Sequence, residues 1–329
     1  MVSIKDVAKH AGVAISTVSK VLNNYPNVSE ATKEKVNASI RELGFVPNTI
    51  AAALSSKQAG RVALLINPVT KTQVIDEISM QYISGALHMA EDMKLDVITV
   101  FFSMLQNKSL EEVITYFKAQ NIAGIIIYGM SKDDTVLHEL VKAEVFKIVL
   151  VDAPMLNACT STVWIDQKKA QYEVAKQIVA ENSCKRILYI AGKKNGYVTE
   201  QRLLGIKELA GDMKLKLTVK DGEFSEKTAR NITFEYAENV DAVVCASDLM
   251  AIGTMKALTE MDIFRPVCGF DGLMLMAYVG KQMYTIKQNF RELSEEAVRE
   301  LDRLMKGDEG REVIMPHSLV RLQYLDIIC

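Results

Sequence analysis

From Arg61 to Gln288 short apolar runs alternate with amphipathic helical stretches, and no other feature of the chain restricts its fold so tightly. The runs are RVALLI, DVITVFF, GIIIY and KIVLVD, then TVWID, RILYIAG, LKLTV, DAVVCA, VCGFD and YTIKQ. A strand that is apolar along its whole length must be covered on both faces. A helix after each strand supplies that cover and returns the chain to start the next strand in parallel. The pattern therefore predicts an α/β fold with doubly wound parallel sheets. It occurs in two sets, about 61–161 and 162–289, which predicts two similar lobes. Part of 290–320 is assigned to the first lobe and a C-terminal strand to the second.

Residues 1–46 follow a different period and predict a separate three-helix domain. Ser3 with Asp6 three residues on resembles a capping box, and Ile4, Val7, Ala8 and Ala11 share one helical face. Gly12 ends this helix at a tight turn. A second helix is expected from about Ile15 to Asn23, with Val18, Val21 and Leu22 inward. Ser29 should cap a third, with Val36, Ile40 and Leu43 inward and Gly44 closing it. Residues 47–60 follow as a short conditional helix, NTIAAALSS, and a linker; a helix this short is marginal without a surface to pack on. The two-lobed domain is expected over 61–329.

Charge and cysteine usage fit this division. Residues 1–60 carry a net +3 and the remainder −5, so a basic head precedes an acidic body. That asymmetry suits phosphate binding by the head alone. The five cysteines are scattered and form no CxxC pair, which reads as reduced thiols. The sequence shows no signal-peptide pattern and no apolar run near the ~20 residues of a membrane span. A cytoplasmic protein is the expectation. No catalytic constellation is found: the four histidines lack metal-ligand spacing, and no nucleophile elbow is present. No enzyme activity, cofactor or metal is expected. The loop Gly192–Gly196 lacks the GK[ST] ending of a phosphate loop and reads as an ordinary βα turn. Asp133 and Asp134 read as the solvated start of a helix.

The run IKDVAKHAGVAISTVSKVLNN and the later LGFVPN resemble the head of the lactose-repressor/galactose-repressor family of bacterial regulators. The segments RLLGI, CASDLMAIGTMKAL, GFDG and TIKQ extend the resemblance through the sensor. It implies a sequence-specific, helix-turn-helix transcriptional regulator, a repressor of carbohydrate-metabolism genes. The second helix would enter the major groove of an operator in double-stranded DNA. Ile15, Ser16 and Lys20 hold the base-reading positions, Ile15 suiting a thymine methyl and Lys20 guanine O6/N7. Thr17, Ser19 and Asn23 suit phosphates, which fix register. Ala14 stands where the family usually has Ser, so this helix lacks a capping side chain.

By the same resemblance residues 47–55 form a hinge helix that folds in the minor groove, where Leu54 wedges into the central step. Asn48 begins that helix, and Ala51 is small enough to approach the groove wall. Ala52 replaces the family's usual Arg.

In open α/β sheets ligands bind at the carboxyl ends of strands, and several polar residues of this chain fall there. By position in the family, Arg202 and Asp271 are the strongest ligand contacts, with Ser247, Gln288 and Asp152 next. An arginine and a carboxylate suit vicinal hydroxyls through two-point hydrogen bonding. Asp248 and Asp166 read as structural, as helix caps. NPVTKTQ replaces the family's aromatic loop, so the effector, a sugar or sugar phosphate by family frequency, stays open.

The run LMLMAYV at 273–279 is apolar around a full helical turn, which predicts a partner subunit on one side. With no leucine-heptad tail, a homodimer on a pseudo-palindromic operator is expected rather than a tetramer. A doubly buried core helix is the alternative at that run. For the whole chain the alternatives are a sugar-receptor-like binding module, a DNA-binding regulator controlled by a protein partner or a non-sugar ligand and, last, an enzyme of similar fold.

Overall fold

The structure, a computed structural model, describes residues 2–22, 25, 28–45, 61–67, 76–279 and 282–322. The chain divides into two compact units, Met1–Ala59 and Gly60–Cys329.

Among the described residues the first unit holds three helices, α1 (Ile4–Ala11), α2 (Ile15–Leu22) and α3 (Glu30–Leu43). Val7, Ala8, Ala11, Val18, Val21 and Val36 are buried between them, while Leu22, Ile40 and Leu43 are half-buried at the margin. At the start of α1 the Asp6 carboxylate accepts the Ser3 N–H at 2.9 Å and the Ser3 hydroxyl at 2.7 Å. Gly12 follows α1 with φ 61°, a left-handed conformation that costs glycine nothing, and the chain turns there into α2. Ser29 caps α3 by accepting from Thr32 N–H at 3.4 Å. His10 Nδ1 lies 3.1 Å from Ser39 Oγ, whose hydroxyl donates to the Lys35 carbonyl, so the imidazole ties α1 to α3. The expected hinge helix, with Asn48, Ala51 and Leu54, lies outside the described residues, as does Asn23.

The second unit begins with β1 (Arg61–Ile66), α4 (Glu77–Met93), β2 (Val97–Phe101), α5 (Phe102–Leu105), α6 (Leu110–Ala119), β3 (Ile122–Tyr128), α7 (Thr135–Lys142), β4 (Lys147–Val151) and β5 (Thr160–Ile165). It continues with α8 (Gln167–Asn182), β6 (Arg186–Ala191), α9 (Tyr197–Asp212), β7 (Lys216–Asp221), α10 (Glu226–Tyr236), β8 (Ala242–Cys245), α11 (Asp248–Glu260), β9 (Val267–Cys268) and β10 (Met283–Lys287). It closes with α12 (Phe290–Met305), β11 (Glu312–Met315) and β12 (Ser318–Leu322). One six-stranded sheet has the order β11-β5-β4-β3-β1-β2 and is parallel throughout. The other has the order β12-β10-β9-β8-β6-β7, with only β12 antiparallel. The central strands are buried along almost their whole length, as their uninterrupted apolar runs require.

The lobe boundary differs from the sequence expectation. The sequence pattern puts β5 at the opening of the second lobe, but it pairs with β4 and β11 in the first sheet. The chain crosses only after the strand, between Ile165 and Gln167. It returns between β10 and α12 and crosses once more between β11 and β12. The apolar run at 273–279 also differs. It forms a 3-10 helix, Met274–Val279, with Leu273, Met276 and Ala277 buried. Met274 and Tyr278 are 57% and 60% exposed, which rules out a doubly buried core helix.

Candidate functional site

The sensor cavity lies where the carboxyl ends of both sheets face each other, with a volume of ≈ 550 Å³. Asp152, Arg202, Ser247, Asp271 and Gln288 all line it. Asp152 follows β4 on the first lobe; the other four come from the second. Arg202, 4% exposed in α9, donates through Nε to Gln167 Oε1 at 2.9 Å and through Nη1 to the Ala246 carbonyl at 2.5 Å. Its Nη1 is also 3.4 Å from Asp271 Oδ1. Gln288 Nε2 donates to the same Asp271 oxygen at 3.1 Å. The buried charges are thus paired and hydrogen-bonded, the condition under which an interior charge is tolerated.

Gln167, which the sequence analysis does not single out, joins this cluster to the first lobe. Its amide accepts from Arg202 while Nε2 donates to Asp152 Oδ1 at 3.0 Å and lies 3.4 Å from Gln288 Oε1. A neutral amide is suited to stand between a carboxylate and a guanidinium, because it can donate to one and accept from the other. Burial pushes the Asp152 carboxyl above its usual range against the pull of Arg202. Burial also raises Asp271, to about 6, with Arg202 and the Gln288 hydrogen bond opposing.

Backbone strain gathers at the same place. Asp152, Glu223, Phe224 and Asp271 have φ of 63°, 57°, 56° and 121°, and all four line the cavity. None is glycine, so each conformation carries a cost of order 1–3 kcal/mol that the surrounding contacts must hold. The Phe224 ring sits on Gly192, where a Cβ would come within 2.0 Å of it.

Aromatic side chains form the rest of the wall. Tyr82 and Tyr128 have ring centroids 4.5 Å apart, and Phe290 meets Tyr82 edge-on at 5.3 Å. Ser294 Oγ donates to the Tyr82 carbonyl at 2.7 Å and accepts from Tyr128 Oη at 2.6 Å, which fixes that phenol from α12. Tyr82 Oη donates to Asp152 Oδ2 at 3.3 Å. Apolar faces bordered by hydroxyls, carboxylates and a guanidinium can hold a small molecule with both an apolar face and a polar rim.

Three structural readings change. Ser247, not Asp248, caps α11, accepting from Met250 N–H at 3.3 Å. Asp248 instead accepts from the Thr285 hydroxyl and the Leu273 N–H, both at 2.7 Å, and burial raises its carboxyl further. Asp166 does cap its helix, through Lys169 N–H at 2.9 Å. The Gly192–Gly196 loop is more than a turn, and Asp133 and Asp134 are more than a solvated helix start. Asn195 Nδ2 donates to both Asp133 oxygens, at 3.0 and 2.8 Å, and Asp134 accepts from Ser131 N–H at 2.7 Å. The segment that replaces the family's aromatic loop lies outside the described residues beyond Asn67, which lines the cavity.

In the head, Ile15 is 45% exposed, Ser16 and Lys20 are exposed, and Thr17 and Ser19 are half-buried. The opposite face of α2 is occupied by Val18 and Val21. Ala14 accepts Thr17 N–H and Val18 N–H through its carbonyl at 2.9 and 3.2 Å but has no side chain to cap the helix. Among the described residues no group of three or more His, Cys, Asp or Glu is placed to hold a metal. No described helix is long and apolar enough to cross a membrane.

A helix-turn-helix unit and a two-lobed body with a lined cavity define the class of DNA-binding regulators that carry a small-molecule sensor. Residues 3–48 match the family described as bacterial regulatory proteins, lacI family, and residues 65–309 match the periplasmic binding protein domain. The chain belongs to the LacI family of bacterial regulatory proteins, with a periplasmic-binding-protein-like body. It is similar to the HTH-type transcriptional regulator MalR of Clostridium butyricum, at 26% identity over 97% of each chain. It is also similar to the lactose operon repressor of Escherichia coli (strain K12), at 27% identity over 97% of this chain and 89% of that one. A solved structure of the Lac repressor dimer bound to operator and the anti-inducer ONPF matches the fold with TM-score 0.81. It covers 97% of this chain and 98% of that one at 24% identity.

Proposed function

We propose that this chain is a cytoplasmic, non-enzymatic repressor that binds a pseudo-palindromic operator as a homodimer and responds to an uncharged sugar. The carrying observation is the convergence of Asp152 from one lobe with Arg202, Asp271 and Gln288 from the other on one aromatic-walled cavity. Paired hydrogen-bonding groups suit hydroxyls, and aromatic faces suit the C–H faces of a sugar ring. Among the described residues five carboxylates line the cavity against three cationic groups, and Arg202 is already bound to Asp271. That balance disfavours a phosphate ester and narrows the sequence expectation of a sugar or sugar phosphate. The relatives agree in kind: one is named for a lactose operon, and one solved neighbour is a dimer on its operator with a small molecule bound.

Exposed Ile15, Ser16 and Lys20 read bases in this proposal, Thr17, Ser19 and Asn23 hold phosphates, and Asn48, Ala51 and Leu54 act in the minor groove. Residues 1–46 are the DNA-binding domain, 47–60 the hinge and 61–329 the sensor. Effector closes the lobes and shifts the population of DNA-binding dimers. Footprinting the purified protein on the DNA upstream of its own gene, with and without a panel of neutral and phosphorylated sugars, tests this. A protected palindrome whose occupancy changes with a neutral sugar is the expected result. No protection above random duplex at moderate salt under any condition overturns the proposal.

A further inference from the structure

We infer that residues 131–138 and 195–200 form a latch that holds the sensor lobes closed through contacts other than those of Asp152, Arg202, Ser247, Asp271 and Gln288. Its consequence for regulation rests on the two-lobed sensor reading above; its existence does not. Ser131 on the first lobe and Gly196 on the second form an isolated antiparallel β-bridge. Beside it Lys132 N–H donates to the Asn195 carbonyl at 2.9 Å. Three side-chain pairs flank that backbone contact. Asn195 donates to Asp133, Lys132 Nζ lies 3.0 Å from Glu200 Oε2, and His138 Nε2 lies 2.8 Å from Tyr197 Oη. Ser131, Asp133, Asn195, Gly196 and Tyr197 also line the cavity, whereas Lys132, His138 and Glu200 do not.

The position of these contacts gives them leverage. The chain crosses between lobes at the ends of β5, β10 and β11, at one side of both sheets. The latch joins the loops after β3 and β6, two strands from β5 in one sheet and three from β10 in the other. Strands lie about 4.8 Å apart, so the latch is on the order of 10–15 Å from the hinge. A hinge rotation of about 20° at that radius separates the loops by ~4 Å, beyond the reach of a hydrogen bond. Opening therefore breaks the bridge and all three side-chain pairs together. Each pair, two exposed and one part-buried, is weak alone, but they act on one two-state motion and bias the closed population before any effector contact is counted. Contacts that hold lobe to lobe, rather than lobe to ligand, then set how much effector the regulator needs.

Hydrogen–deuterium exchange of the full chain without effector tests the latch, because the Lys132 amide is protected only while the lobes meet. The wild type should protect the peptide spanning 130–135. Asn195→Ala and Lys132→Glu should each speed exchange there by about threefold or more, with the β3 strand peptide unchanged as a fold control. The double charge exchange Lys132→Glu with Glu200→Lys should return exchange toward the wild-type rate. Exchange in the wild type as fast as in an open loop overturns the inference. So does protection that neither single variant reduces, or a double variant no slower than Lys132→Glu. None of these readouts needs effector or DNA, so they stand apart from any failure of the sugar-repressor proposal.

Discussion

The Arg202 guanidinium carbon lies 3.7 Å from the centroid of the Phe270 ring, with the Asp271 carboxylate at its edge. A planar cation packed on a ring face and bonded at its edge is held in one orientation, which a flexible ammonium cannot reproduce. Arg202→Ala should abolish effector response while sparing DNA binding. It should also lower stability by about 3–5 kcal/mol, because Asp271 is left buried without its cation. Arg202→Lys should keep the fold and still lose most of the response. Calorimetry with the effector and a mobility-shift assay on the operator check both; retained response in the alanine variant refutes the site.

Asp271 gives the sensor a pH dependence of definite sign. Its folded pKa is raised to about 6, above the unfolded aspartate value of about 3.9. Between those values this carboxyl binds more protons in the folded chain than in the unfolded one, so its contribution to stability declines as pH rises through that window. Asp271→Asn should flatten the decline between about pH 4 and pH 6, measured by urea unfolding at several pH values. An unchanged slope would show that another group titrates there.

Gly205 marks a close approach of α9 to α8. A Cβ at this position would come within 2.2 Å of the Lys168 carbonyl oxygen, which is backbone and cannot rotate away. Gly205→Ala should destabilise the body by about 1–3 kcal/mol through forced separation of the two helices, despite alanine's better helix propensity. Thermal unfolding decides it; a stabilised variant would mean that the helices shift apart without loss.

On the head, Lys20 is exposed on the α2 face opposite Val18 and Val21. Lys20→Ala should cost about 1–3 kcal/mol of discrimination at one base pair of the operator. Binding to random duplex should change much less. A uniform loss on all sequences, with a shallower salt dependence, would instead assign Lys20 to a phosphate.

In the proposed function Leu54 wedges into the minor groove. Leu54→Ala should weaken operator binding strongly and leave random-duplex binding unchanged, as measured by competition titration. Equal losses on both would remove the wedge.

The strand ends were legible because the polar residues that close buried apolar runs have few structural uses there; Asp152, Asp271 and Gln288 follow such runs and meet in the cavity. Gln167 was not legible, since a glutamine opening a helix looks like any exposed N-terminal residue until the crossover buries it. The Asn195–Asp133 contact joins positions 62 residues apart that share no periodicity. Consecutive left-handed residues at Glu223 and Phe224 carry no glycine or asparagine to announce them. The placement of β5 turned on where a crossover falls relative to a strand, and periodicity does not encode that.

The chain passes between the lobes after β5, after β10 and after β11, so neither lobe is one continuous stretch of sequence. Cutting one crossing leaves two tethers, and a protease that nicks a single connection releases no fragment. No single truncation yields an isolated half of the sensor, and a newly synthesised first lobe must wait for β11 before its sheet is complete.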